Sequence, residues 1–186
     1  MEIVLASQSP RRQELIKLIT NNVRVQVADI DETMDASKPV YDEVARVSLM
    51  KALAIGATDA IVVAADTVVV CDGKVLGKPK DRDDAYKMLS MLSGRTHQVM
   101  TGLSVVKGAR SVSATEVTDV TFRPLTDAEI WAYIDTKDPM DKAGSYGIQS
   151  GGALFVERIC GDYFNVVGLP VCRLGQILKE VVEGEA

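Results

Sequence analysis

The sequence predicts a mixed-sheet fold of the α/β or α+β class in a single domain spanning residues 1–186. Three observations lead there. Val- and Ile-rich strand runs alternate with helical segments that carry their own start and stop signals. Several strands are joined by short glycine-containing turns, as hairpins are, so the sheet cannot be a purely parallel βαβ series. The composition, 47% hydrophobic and 25% charged over 186 residues, is that of an ordinary globule.

Taken in order, an apolar strand-like run ends near Leu5. Ser9 and Pro10 then supply a cap and a first-turn proline for a helix over residues 10–20, with Leu15, Ile16, Leu18 and Ile19 at helical spacing. Residues 23–27 alternate as a short strand and lead into the acidic loop ADIDETMDAS. Residues 41–55 hold no breaker and predict a second helix, with Lys51 near its end and Gly56 as its stop. The run 61–71 reads as a buried strand returning through Asp72-Gly73 into 74–76. Asp81 caps a helix over 82–92, which Gly94 ends. Two longer strands follow at 97–106 and 112–122, and Thr126 with Glu129 forms a capping box opening a helix around 130–133. The stretch DPMDKAGSYGIQSGG predicts irregular backbone, residues 153–167 a hairpin turning at Gly161-Asp162, and residues 171–182 a last amphipathic helix.

Charge narrows the function. A net charge of −5 and a pI near 5.0 argue against a nucleic-acid-binding protein. Three cysteines, widely spaced, form neither a disulfide framework nor a Cys-x-x-Cys metal site. No signal peptide is recognisable, and no apolar run approaches the roughly 18 residues that span a bilayer. A cytoplasmic protein is expected, without a membrane partner.

A few residues stand out chemically. Arg11 and Arg12 fall in a first helical turn, where each cation opposes the macrodipole by about 0.3–1 kcal/mol. A bound phosphate would resolve that conflict, with Ser7 as a further donor; a solvated arginine pair is the alternative. Asp66 interrupts the apolar run IVVAADTVVV. A buried carboxylate needs a partner, so Asp66 is a bulge cap, the partner of a buried lysine, a general base or a ligand of a divalent cation. Thr67 offers a hydroxyl beside it. Lys51, Lys78 and Lys80 are ordinary surface lysines taken singly. Asp31 and Glu32 carry oxygen donors suited to magnesium or manganese, or belong to a solvated acidic loop. The single histidine, His97, rules against an HExxH site and makes a Ser-His-Asp triad improbable, so a structural role is expected. GSYGIQSGG fits no standard phosphate loop, and the Gln149 amide within it has the donor and acceptor needed to read a base edge.

Together LASQSPRR, AADTVV, GKVLGKPKD, SGRTHQVMTGL, DKAGSYGIQ and NVVGLP closely resemble the Maf family of nucleoside triphosphate pyrophosphatases, in the family's order and over nearly the whole chain. The resemblance implies an elongated mixed sheet with flanking helices and a cleft between two lobes, like the inosine triphosphatases. It implies water attack on the α-phosphate of a nucleoside triphosphate, with a divalent cation, magnesium or manganese, required. By motif position, Asp66 is the general base, and Ser7, Arg12, Lys51 and Lys78 contact phosphates. Arg11, Thr67 and Gln149 match specificity positions, with GIQ resembling the branch that prefers dTTP and UTP. Glu32, with Asp66, is the implied metal ligand. The sister branch acting on 7-methyl-GTP and a weakly active nucleotide-binding regulator of septum formation are the alternatives. The expected partner is the nucleotide, and a homodimer is admitted.

Overall fold

The computed structural model describes residues 2–27, 29–56 and 59–183. Its strands are β1 (Ile3–Leu5), β2 (Val23–Val25), β3 (Ile61–Cys71), β4 (Lys74–Leu76), β5 (Thr96–Lys107), β6 (Arg110–Phe122) and β7 (Val156–Cys160). Its α-helices are α1 (Pro10–Ile16), α2 (Val40–Leu53), α3 (Arg82–Leu92), α4 (Asp127–Asp135), α5 (Tyr163–Val167) and α6 (Val171–Glu183). Among the described residues the strands form one seven-stranded mixed sheet in the order β2-β1-β3-β5-β6-β7, with β4 paired to β3. β1 runs parallel to both β2 and β3, with Ile3 opposite Val23 and Ile61. Parallel neighbours need crossover connections, and the α1 and α2 segments supply them. β3–β4 and β6–β7 are antiparallel.

The chain divides into two compact units. The first comprises Met1–Thr67, Thr101–Glu116 and Gly168–Ala186; the second comprises Val68–Met100 and Val117–Val167. In the first, Val4, Ala6, Ala52, Val62, Ala64 and Val106 form a core of small side chains, which lets a helix approach its strands closely. In the second, Leu89, Leu92, Phe122, Tyr133, Tyr146 and Phe155 are buried together, and Phe122 packs edge-on against Tyr146 and Phe155, the geometry ring quadrupoles prefer.

Two expectations require correction. The first helix stops at Ile16, and residues 17–19 form a turn instead of a third helical turn. The hairpin expected over 153–167 does not form: β7 ends at Cys160 and residues 163–167 wind into α5. Asp162 is the physical reason, because its Oδ1 accepts the Phe164 amide at 2.8 Å, a helix-starting bond that a tight hairpin turn lacks. The glycine-rich stretch is irregular, as expected, and is built of short 3₁₀ turns at Asp138–Asp141, Ala143–Ser145 and Gly151–Leu154.

Candidate active site

β3 is buried along its whole length except at two adjacent positions, Asp66 and Thr67. Asp66 Oδ1 accepts from Lys51 Nζ at 2.7 Å, with both side chains 13% exposed. The lysine partner that the sequence left as one of four readings is therefore present. Lys51 Nζ also lies 2.8 Å from Glu32 Oε2, on the acidic loop.

The reach of Lys51 follows from how α2 sits on β5. Gly102 replaces a side chain where the helix backbone passes: a Cβ there would lie 2.0 Å from the Val44 carbonyl oxygen. Glycine within a strand marks such an approach. Ser48 and Ser104 then share a buried hydroxyl bond of 2.6 Å. Lys51 is one turn beyond Ser48, on the same helix face, so the contact that locks the helix also aims the ammonium at Asp66.

Arg12 is the second centre. Its Nε donates to the Gly168 carbonyl at 2.7 Å, its Nη1 to Ser7 Oγ at 3.3 Å and its Nη2 to Thr67 Oγ1 at 2.9 Å. Thr67 Oγ1 is also 2.9 Å from Thr101 Oγ1. Gly168 has φ +124°, a left-handed conformation open to glycine at little cost, and it is in this conformation that its carbonyl meets the guanidinium. Burial lowers the Arg12 pKa from its ordinary value, and Arg11 adds to this through like charge; Asp66 and Glu32 pull the other way. The site is thus a half-buried guanidinium and an ammonium set among two carboxylates and three hydroxyls, with Arg11 half-buried beside Arg12.

The structure brings Ser7, Arg12, Glu32, Lys51, Asp66 and Thr67 together in the first unit. Lys78 and Gln149 belong to the second unit, where each is exposed, Lys78 after β4 and Gln149 in the turn 148–150. Thr101 and Gly168 join the Arg12 network without having been singled out. A threonine in a strand and a glycine before Leu-Pro carry no chemical signal of their own, although the glycine in MTGL of β5 could have flagged the close approach at Gly102. His97 is buried, with Nε2 2.8 Å from the Tyr146 hydroxyl.

Among the described residues no group of three or more His, Cys, Asp or Glu side chains is placed to hold a metal ion. A cage made wholly of protein is therefore absent there. Asp66 and Glu32 nevertheless converge on one point of positive charge, the Lys51 ammonium. Two hard oxygen donors of this kind match the chemistry of a magnesium-like cation. No helix among the described residues is long and apolar enough to cross a membrane.

The whole chain is similar to known proteins. The chain is 50% identical over 184 residues to a protein of Carboxydothermus hydrogenoformans named dTTP/UTP pyrophosphatase, covering 97% of this chain and 98% of the relative. It is 49% identical over 191 residues to a protein of the same name from Acetivibrio thermocellus, covering 97% and 95%, and 48% identical over 185 residues to one from Bacillus cytotoxicus, covering 98% and 97%. Among solved structures, the Ham1 protein of Coxiella burnetii superposes with a TM-score of 0.53 at 16% identity over 97% of this chain and 99% of that one. The Staphylococcus aureus Ham1 protein gives 0.50 at 16% over 100% of both. Those two likenesses bear on the fold alone. The family model described as Maf-like protein matches residues 2–181, and this chain belongs to that family.

Proposed function

We propose that the protein is a nucleoside triphosphate pyrophosphatase that hydrolyses dTTP and UTP to the monophosphate and pyrophosphate, clearing nucleotides from the cytoplasmic pool. The observation that carries this reading is the pairing of Asp66 with Lys51 at the one polar break in β3, in a chain whose relatives near 50% identity carry the name dTTP/UTP pyrophosphatase.

In this reading Lys51, Arg12 and Ser7 face the phosphates. The guanidinium is preorganised by the Gly168 carbonyl and the Thr67 hydroxyl, so little side-chain entropy remains to be lost when an oxyanion arrives. Lys51 holds Asp66 Oδ1, which leaves Oδ2 as the atom that takes the proton from the attacking water. Glu32 and Asp66 would hold a magnesium or manganese ion, and that ion, when bound, supplies positive charge to the phosphate oxygens and a lowered pKa to bound water. Lys78 is assigned to the phosphates, and Arg11, Thr67 and Gln149 to substrate choice, on the family likeness. The acidic chain needs this local basic cluster, because its net charge repels a triphosphate.

The test is a panel of dTTP, UTP, CTP, ATP and 7-methyl-GTP with Mg²⁺ or Mn²⁺, run in ¹⁸O-labelled water with products identified. The expected result is dTMP carrying the label and unlabelled pyrophosphate. Release of dTDP and orthophosphate would overturn the bond assignment. 7-methyl-GTP as the best substrate would move the chain to the sister branch, and tight binding without turnover would make it a regulator.

A further inference from the structure

We propose that Glu43 and Arg46 are positioning residues for the reaction: they clamp the acidic loop 31–37 to α2 and so set where the Glu32 carboxylate stands relative to Lys51 and Asp66. The inference rests on the reading of Glu32 as a carboxylate that serves the cation.

The loop has no regular secondary structure, and all its residues but Met34 are exposed. Its local shape comes from two short turns, in which Asp31 Oδ1 accepts the Thr33 amide and Asp35 Oδ1 accepts the Ser37 amide, each at 2.9 Å. Such turns fix curvature, not location. Location comes from α2, which touches the loop at three heights. Glu43 Oε2 accepts the Asp35 amide at 2.7 Å. Arg46 Nη2 donates to the Thr33 carbonyl at 2.9 Å. Lys51 meets Glu32. The first two ties lie on the C-terminal side of Glu32 and anchor the backbone beside it, since Thr33 is the residue next to Glu32.

The clamp is built as a rigid unit. Glu43 is 2% exposed, and a buried carboxylate must be satisfied by donors. Arg46 supplies two of them as a fork, Nε to Oε1 at 2.9 Å and Nη2 to Oε2 at 2.7 Å, while its Nη1 lies 2.7 Å from Met50 Sδ. A planar guanidinium with every edge engaged has one geometry. By contrast Glu32 is 57% exposed, and its contact with Lys51 alone would leave it among many rotamers. A carboxylate of that kind is useful to a cation only if its backbone is held.

The test uses the full-length protein and two readouts. Amide hydrogen exchange is followed over residues 31–37 without metal or nucleotide, and the Mg²⁺ concentration giving half-maximal dTTP hydrolysis is measured beside the KM for dTTP at saturating Mg²⁺. Arg46→Met should speed exchange across 31–37 about tenfold, because a charge-assisted tie to the loop is lost. It should raise the Mg²⁺ requirement about tenfold, the usual scale for groups that orient a ligand, with KM within about twofold of wild type. Arg46→Lys keeps the charge without the fork and should restore only part of both. Glu32→Gln should raise the Mg²⁺ requirement by itself. If Glu32→Gln raises it and neither Arg46 variant moves it or the exchange, the clamp is merely structural and the inference fails while the reading of Glu32 stands. If Glu32→Gln leaves it unchanged, that reading fails and takes the inference with it.

Discussion

Each unit contains a lysine lying between two carboxylates, and the two clusters have opposite characters. In the first unit Lys51 meets Asp66 and Glu32. In the second, Lys142, 12% exposed, donates to Asp138 Oδ1 at 2.9 Å, to the Asp138 carbonyl at 2.7 Å and to Asp141 Oδ1 at 2.7 Å, which uses all three of its protons. Asp138 Oδ2 accepts in addition from the Tyr133 and Ser150 hydroxyls, each at 2.5 Å. Burial works against the Asp138 carboxylate, but the bonds from Ser150, Tyr133 and Lys142 outweigh it and hold its pKa below the ordinary 3.8. Asp66 has one side-chain donor among the described residues, Lys51. The same residue types therefore make a closed knot in one place and an under-used carboxylate in the other. On the proposed reading, saturation of the lone pairs, not the presence of an ion pair, separates the structural cluster from the chemical one.

The widest test of that distinction compares the two aspartates. Asp66→Asn keeps the shape and removes the basic oxygen, so kcat for dTTP should fall by about 10² to 10⁴, while the thermal midpoint falls less than in Asp138→Asn, because one side-chain donor loses its charged partner instead of three. Turnover near wild type in this variant would break the comparison at its centre.

Acid should distinguish the units next, through His97. Burial lowers its pKa from 6.5 to about 4, opposed weakly by Asp119, and its Nδ1 has no hydrogen-bond partner among the described residues. The folded form thus disfavours the proton that the unfolded chain accepts at 6.5. The contribution to stability is whole above pH 6.5, is lost as pH falls from 6.5 to 4, and amounts to about 3 kcal/mol. Urea unfolding of wild type and His97→Gln across that range should show the slope in the first and its flattening in the second. Parallel slopes would exclude His97 as the origin.

Asp138→Asn should be smaller and purely conformational. It leaves the Lys142 ammonium with Asp141 and weakens the bonds from two hydroxyls, a loss of about 1–3 kcal/mol for a group that is 25% exposed. Its acid dependence lies lower than that of His97: a depressed carboxyl contributes above pH 3.8 and is lost as pH falls through its folded value. A kcat effect exceeding that of Asp66→Asn would reverse the roles assigned to the two clusters.

What the sequence made legible follows the same line. The strands and capped helices were readable because their signals are local: Asp81 and Thr126 cap as their spacing predicts, and β3 matches at both ends. Asp66 was readable because a charge in an apolar run is locally costly. The surroundings of Arg12 were not. The sequence sets that arginine against a helix dipole, but α1 has seven residues and the guanidinium is instead held by Gly168, 156 positions away. Ties between distant residues, such as Thr67 to Thr101 or Arg46 to the Thr33 carbonyl, leave no mark in a window of ten residues. Neither does the saturation of Asp138, whose partners are scattered from Tyr133 to Ser150.

The smallest expected effect concerns what the knot in the second unit supports. The Gly147 amide donates to the Tyr133 hydroxyl at 3.1 Å and Ser150 Oγ to Asp138, so both ends of the turn bearing Gln149 are fastened to the same aspartate network, while Gln149 itself is exposed. A fixed amide presents one donor and one acceptor in a set order. Thymine and uracil offer an acceptor, a donor and an acceptor, whereas cytosine changes two of the three, a mismatch of about 1–3 kcal/mol if buried. On the proposed reading, wild type should favour dTTP over CTP by roughly ten- to a hundredfold in kcat/KM. Gln149→Glu offers acceptors only and should erode that ratio about tenfold with no change in thermal midpoint. Asp138→Asn, which loosens the turn but leaves the amide, should erode it by a smaller factor. Equal ratios in all three proteins would mean that the knot stabilises the fold alone and that Arg11 and Thr67 choose the base.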